Sequence, residues 1–259
     1  MAVRERPGRP GGATLRGLGD RDIDGMLYTA DMYGLPVDLL AEVLGGSVPQ
    51  ARAAVVRWRR LGLAESAHPV PGPGWVWLTR AGLAVCGRRY VARPLTLPKL
   101  AHIRATAAVR LALEATPGYQ RAEAFWRSER RLRARSGGRT GLREHLPDGE
   151  VHWPDGASAD GHAVPWAGEC WAIEAELTSK TVTKTTAIMR ELLSRTGDYG
   201  GPAAQARVPG HPVRHTRVLY VCSARARPNV LRARAALGPA AVRVEVRDLP
   251  ARAALARAQ

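Results

Sequence analysis

Residues 145–180 read HLPDGEVHWPDGASADGHAVPWAGECWAIEAELTSK, and the last part of this stretch alternates between two kinds of side chain. Trp171 and Ile173 fall on one face of a strand, whereas Glu174 and Glu176 fall on the other. The alternation therefore predicts a half-buried strand with two carboxylates on one side. That arrangement costs free energy unless a cation lies between the carboxylates.

A second extended segment precedes this strand. Residues 150–153 follow a Pro-Asp-Gly triplet that contains Asp148, and we expect them to pair with the first strand as a hairpin whose tip lies near residues 156–168. Asp148 would then lie beside Glu174 and Glu176. Three converging carboxylates suit Mg²⁺ or Mn²⁺, which are hard ions that take oxygen ligands.

Asp155 is the rival for the position of Asp148, because it also lies in a Pro-Asp-Gly triplet. It comes seven residues later, which is roughly 20 Å further along a strand. The residues that follow it are poor strand formers, so we interpret Asp155 as a turn residue and Asp148 as the inward carboxylate. The alternative for the whole cluster is a hairpin with a solvated acidic face.

The N-terminal part of the chain predicts three helices followed by a hairpin and a fourth helix. The predicted helices span residues 20–33, 36–44 and 48–61, the return strand of the hairpin spans 75–78, and the last helix begins after Thr79. Ser47 and Gln50 have the spacing of a capping box at the start of the third helix. This order of elements is typical of a winged helix-turn-helix domain, a fold that also serves as a protein–protein module.

The third helix carries the candidate DNA-binding residues. Arg52, Arg59 and Arg60 lie opposite its apolar face, and Arg57 flanks them. A guanidinium fork matches phosphate oxygens or the O6/N7 edge of guanine, so the exposed face of this helix suits the major groove of double-stranded DNA.

Composition favours the same partner. The 259 residues carry a formal net charge of +16, and a surface this basic attracts polyanions. The alternative is a protein with solvated arginine-rich faces. The chain shows neither a signal peptide nor a long apolar segment, so we expect a cytoplasmic protein without a membrane partner. The three cysteines lack the spacing of a disulfide framework or a structural zinc site.

We predict a mixed α/β fold with two domains. The helix expected at 94–115 either packs on the first domain or forms a homodimer. In the second domain we expect a helix at 121–135 and a short strand near 142–145 before the hairpin. The predicted division is a basic N-terminus (1–14), a winged helix (15–93), a connecting helix (94–118), a nuclease-like domain (119–250) and a tail (251–259).

The segments HLPDGE, WAIEAELTSK and RVLYVC resemble, in this order, actinobacterial replication-relaxation proteins. The aspartate before one strand and the Glu-x-Glu on the next also resemble the PD-(D/E)xK nuclease core. The resemblance covers about residues 15–250. It implies a winged helix followed by a restriction-endonuclease-like domain, and a role in plasmid replication and DNA relaxation.

The resemblance also assigns roles to residues. It implies that Asp148, Glu174 and Glu176 bind Mg²⁺ or Mn²⁺ and that Lys180 supplies the cation near the scissile phosphate. Glu129, on the first helix of the domain, matches the place of a further acid, although a pair with neighbouring arginines is the alternative. The family pattern has lysine where this chain has Glu176, and members without activity exist.

Three functions follow as expectations. The first is a DNA-binding protein of plasmid or conjugative-element replication or transfer, whose nuclease-like domain is degenerate. The second is an active metal-dependent nuclease or nickase. The third is a winged-helix transcriptional regulator whose second domain serves dimerisation.

Overall fold

The computed structural model describes residues 17–135, 145–156, 158–159, 162–163, 166–195 and 214–253. The described chain is a mixed α/β protein that divides into two compact units, residues 17–107 and 108–253. None of its described helices is both long enough and apolar enough to cross a membrane.

Unit 1, residues 17–107, combines helices with a small antiparallel sheet. Its strands lie in the order β1-β3-β2, and Leu35 pairs with Val76 while Glu65 pairs with Trp77. The elements are α1 (Asp20–Asp31), β1 (Leu35–Pro36), α2 (Val37–Val43), α3 (Val48–Arg60), β2 (Ala64–Ala67), β3 (Trp75–Leu78), α4 (Arg80–Val85) and the first part of α5 (Leu97–Glu114).

Helix α3 begins at the predicted capping box. The Gln50 N–H donates to the Ser47 hydroxyl, and the Ser47 N–H donates to the Gln50 side chain at 2.8 Å. At the other end of the helix, Trp58 is fully buried and its indole N–H donates to Asp22 of α1 at 2.8 Å. One face of α3 is therefore fixed to the unit 1 core, which leaves the opposite face for solvent or a partner.

Unit 2, residues 108–253, is built on a five-stranded sheet of order β10-β9-β8-β5-β4. The pairs of β4 with β5 and of β5 with β8 are antiparallel, whereas β8, β9 and β10 run parallel. The remaining elements are α6 (Pro117–Arg121), β4 (Phe125–Ser128), α7 (Glu129–Arg135), β5 (Gly149–His152), β6 (Ser158–Ala159), β7 (His162–Ala163), β8 (Cys170–Glu176), α8 (Val182–Ser194), β9 (Arg217–Cys222), α9 (Arg227–Ala235) and β10 (Val244–Asp248).

The hairpin prediction is confirmed: Gly149 pairs with Ile173 and His152 with Cys170. The prediction of a half-buried strand is wrong, because all seven residues of β8 are buried. On one side, residues of α8 and α9 pack with Ala172 in a shared core cluster. On the other side, the Trp171 ring contacts the ring of Trp153 at 5.2 Å between centroids.

One element prediction in unit 2 is corrected, and another falls mostly outside the described residues. The predicted helix at 121–135 is interrupted, because Phe125–Ser128 forms strand β4 and only Glu129–Arg135 is helical at its end. Strand β4 provides the third antiparallel strand of the described sheet. His145 lies outside any strand, and residues 142–144 lie outside the described part. Phe125, the first residue of β4, is 43% exposed.

Candidate functional site

Of the carboxylates predicted to form a site, Asp148 and Glu174 lie opposite each other where strands β5 and β8 adjoin. The register that pairs Gly149 with Ile173 places Asp148 opposite Glu174. A side-chain oxygen of Asp148 accepts a hydrogen bond from the Ala175 backbone N–H at 2.8 Å, which fixes Asp148 to the neighbouring strand. Asp155 lies exposed in a turn, as expected. The structure therefore places Asp148, and not Asp155, beside the glutamates.

Glu174 is buried, and its pKa differs from that of an ordinary glutamate. Burial is the main reason that its pKa rises to about 7; the His145 hydrogen bond opposes this rise, whereas the negative charge of Asp148 adds to it. The His145 Nε2 lies 2.8 Å from the Glu174 carboxylate. A carboxyl whose pKa lies near neutrality can exchange a proton or exchange its partner under ordinary conditions.

His145 is held over Glu174 by helix α8. Its backbone N–H donates to Glu191 at 2.6 Å, and its carbonyl accepts from Arg195 at 3.0 Å. Burial disfavours the charged imidazole, but the hydrogen bond to Glu174 and the charges of Glu174 and Asp148 outweigh it, so the pKa of His145 is raised. Sequence reasoning missed this residue, although it stands three positions before Asp148.

Lys180 pairs with the third carboxylate. Its Nζ lies 2.6 Å from a Glu176 oxygen, and its side chain is 31% exposed. Burial lowers the pKa of Lys180, but the hydrogen bond to Glu176 and the charges of Glu176, Glu174 and Asp148 raise it overall. Lys180 is therefore a charged amine within the field of all three carboxylates.

Glu129 belongs to the edge of this cluster through its backbone. Its N–H donates to the Asp148 carbonyl at 3.2 Å, which places the start of α7 next to Asp148. Its side chain forms an ion pair with Arg133 on the next turn of the helix. The observed contact is thus the arginine pair that we named as the alternative role of Glu129.

Tyr220 adds an unexpected polar group to the same sheet face. It lies beside Glu174 in the β8–β9 register and is fully buried, and its hydroxyl has no hydrogen-bond partner among the described residues. Burial, followed by the charges of Glu174 and Glu176, raises the pKa of Tyr220 well above its ordinary value. A buried hydroxyl without a partner costs about 1–3 kcal/mol, so a water molecule or hydrated ion at this face would be stabilised.

Asp148, Glu174 and Glu176 offer the type of ligand that a divalent cation prefers, but their oxygens are not arranged closely enough to share one ion. Carboxylate oxygens are the ligands that Mg²⁺ and Mn²⁺ prefer, and the unsatisfied Tyr220 hydroxyl is consistent with a hydrated ion. However, the oxygens of Asp148, Glu174 and Glu176 do not form a group within 4.8 Å of one another. Because His145 and Lys180 already neutralise two of these carboxylates, a bound cation would have to replace those contacts.

A second buried cluster surrounds Glu150, which is fully buried two residues after Asp148. Arg214 donates to both carboxylate oxygens of Glu150, at 2.7 and 2.6 Å. The ring nitrogens of His215 and His152 each lie 2.9 Å from the same carboxylate. Burial alone would raise the pKa of Glu150, but these hydrogen bonds and the Arg214 charge hold it well below its ordinary value.

The same cluster contains three residues of the types that bind zinc: ligand atoms of Glu150, His152 and Cys170 all lie within 4.8 Å of one another. The surrounding charge does not fit a cation. Arg214 already binds both oxygens of Glu150, and a guanidinium nitrogen of Arg127 lies 3.6 Å away. A divalent ion would add to this positive charge, so the cluster fits a structural ion network.

The arginines of α3 differ in what they contact. Arg57 is held by Asp22 at 2.7 Å, although its side chain remains 47% exposed. Arg52, Arg59 and Arg60 are exposed and have no carboxylate partner among the described residues. The predicted arginine face is therefore present, and three of its four members are available to bind an anion.

The chain matches no protein-family model, and a search of curated proteins finds no relative. The interpretation of both sites thus depends on their geometry and chemistry.

Proposed function

We propose that this chain is a DNA-binding protein in which unit 1 is a winged helix that contacts duplex DNA and unit 2 is a nuclease-like domain. The element order of unit 1, with α3 followed by the β2–β3 hairpin, supports the first assignment. An antiparallel hairpin followed by a crossover helix and a parallel strand supports the second. The resemblance noted in the sequence adds a role in replication or transfer of a plasmid or conjugative element.

The observation that carries the DNA-binding proposal is the exposed face of α3. Arg52, Arg59 and Arg60 stand there without carboxylate partners among the described residues, while Trp58 and its neighbours bury the opposite face. A helix that is fixed on one side and cationic on the other is suited to the major groove, where arginine binds phosphate or guanine.

Binding of duplex DNA by the Arg59→Ala variant tests this proposal. We expect affinity to fall by about fivefold to a hundredfold, the range for an arginine that contacts a guanine edge. Fluorescence anisotropy with a labelled duplex measures the change. Arg93→Ala is the matched control, because Arg93 is exposed in the same unit but lies outside α3. Equal affinities of the wild type and both variants would remove α3 from the DNA-binding role.

A second function, metal-dependent DNA cleavage, is favoured by one observation: Asp148 lies opposite Glu174 with the Lys180 amine in their field. In this proposal Asp148 and Glu174 hold the ion, and Glu176 completes its surroundings or orients a water molecule. The ion would polarise the phosphate and acidify a bound water. Lys180 would stabilise the negative charge that develops on the phosphate oxygens, and His145, whose pKa is raised, would be placed to donate a proton beside Glu174.

Incubation with supercoiled plasmid and Mn²⁺, with and without a chelator, tests this second function. The wild type should produce nicked plasmid only with the metal, and Glu174→Ala should abolish nicking because it removes a central ligand. Glu245→Ala is the control, since Glu245 is an exposed glutamate of the same unit that pairs with Arg247. Wild-type protein that binds DNA without nicking it would leave the DNA-binding function standing alone.

A further inference from the structure

The exposed face of α3 contains one large apolar residue, Val56, and the small Ala53 among its arginines. Val56 is 42% exposed, and Arg52 and Arg60 stand four residues before and after it. Residues four apart lie on the same face of a helix, one turn from each other. Val56 therefore occupies the centre of a stripe whose two ends are guanidinium groups.

A cleft of about 620 Å³ borders this stripe on the side of the hairpin. Val56, Arg59 and Arg60 line it from α3, and Glu65 and Trp77 line it from strands β2 and β3. Glu65 accepts a hydrogen bond from the Trp77 indole at 2.9 Å. The Glu65 carboxylate is thus hydrogen-bonded to the neutral Trp77 indole. Arg59 and Arg60 have no carboxylate partner in the described chain.

The chemistry of this surface selects among partners. Val56 and the small Ala53, which lie among three arginines, offer too little apolar area for a protein interface core, which is depleted in charge. A polyanion with a small apolar group fits better. The major groove of DNA offers phosphates and guanine edges to the arginines, and its apolar base-edge group is the 5-methyl of thymine.

We propose that Val56 packs against the 5-methyl group of a thymine in the major groove, with Arg52, Arg59 and Arg60 binding phosphates or guanine edges on either side. This inference rests on the proposed DNA-binding function and adds a sequence preference to it. Val56 is then a specificity-determining residue of α3, and the recognised duplex has a thymine at a fixed position.

Selection of binding duplexes from a randomised pool, followed by base replacement, tests the proposal. Wild-type protein should enrich duplexes with a common thymine. Replacing that thymine by uracil removes only the methyl group and should weaken binding by about fourfold, the factor for burying one methyl. Val56→Ala should bind the thymine and uracil duplexes equally. Val91→Ala should keep the difference, because Val91 is 68% exposed outside α3.

The outcomes separate this proposal from the function it rests on. Failure to bind any duplex at low salt overturns the DNA-binding function. Binding with equal affinity for thymine and uracil overturns the role of Val56 alone. Loss of self-association in Val56→Ala, without any change in DNA affinity, would assign Val56 to a protein interface. That result would also overturn the proposed contact of Val56 with thymine. Melting temperatures of Val56→Ala and Val91→Ala that equal that of the wild type would establish that both variants are folded in the binding measurements.

Discussion

Glu150 and Glu174 lie on the same face of neighbouring strands, yet their pKa values shift in opposite directions. Glu150 has Arg214 and two histidines around it, so its charged form is favoured despite complete burial. Glu174 has His145 but also the negative Asp148, and its pKa rises to about 7, burial being the main cause. Two buried carboxylates of one sheet therefore differ in their favoured charge: the surroundings hold Glu150 as an anion, whereas burial and Asp148 favour the protonated form of Glu174.

Replacing Glu150 by glutamine should strongly destabilise unit 2. The amide keeps the shape but leaves the buried Arg214 guanidinium without a counter-charge. Breaking a buried pair in this way costs about 3–5 kcal/mol, a large part of the roughly 5–15 kcal/mol that stabilises an ordinary domain. Urea unfolding at neutral pH measures the change. Glu245→Gln, at an exposed pair, should differ from the wild type by less than about 0.5 kcal/mol.

The same variant has a defined pH dependence. Because the folded-state pKa of Glu150 lies below the ordinary value of 4.5, its charge contributes stability above that pH, and the contribution is lost as pH falls through the folded pKa. Wild-type stability should hence decline more steeply on acidification than that of Glu150→Gln. Parallel declines of the two proteins would mean that Glu150 is not a buried anion.

At the scale of elements, local pattern predicted the hairpin and the α3 cap, because both depend on residues close in sequence. The Ser47–Gln50 box and the alternation of β8 needed no distant partner. Strand β4 is different. Its four residues, Phe-Trp-Arg-Ser, are flanked by helix formers, and they become a strand through pairing with β5. A Cβ at Gly149 would lie 2.0 Å from the Trp126 ring, so glycine permits this close packing.

The site could be predicted only where its residues lie on one hairpin. Asp148 and Glu174 follow from a turn triplet and a two-residue alternation. The contacts that set their chemistry come from elsewhere: Tyr220 lies on β9, and helix α8 holds His145. In unit 1, likewise, the pair of Arg57 with Asp22 joins residues 35 positions apart. Periodicity gives the face of a side chain, but not the partner that tertiary packing provides.

At the scale of the whole molecule, the net charge of +16 does not by itself locate a DNA-binding surface. Several arginines bind carboxylates inside the fold: Arg88 pairs with Asp31, Arg104 with Asp38 and Arg214 with Glu150. These arginines add to the number of basic residues, but each is cancelled by its carboxylate and offers no guanidinium to a partner. Diffuse attraction by the whole surface and localised binding by α3 are therefore distinct hypotheses, and their salt dependence separates them.

The slope of log affinity against log salt concentration counts the phosphate contacts that release counterions, at about 0.9 per contact. If Arg59 and Arg60 both bind phosphates of the duplex, the double variant Arg59→Ala/Arg60→Ala should reduce the steepness of this slope by about 2. Arg89→Ala/Arg93→Ala removes the same charge from exposed positions outside α3 and should leave the slope near that of the wild type. Anisotropy titrations between low and moderate salt measure all three proteins. A diffuse attraction would lower both slopes equally, since long-range charge is insensitive to position, and that result would move DNA binding from α3 to the surface as a whole.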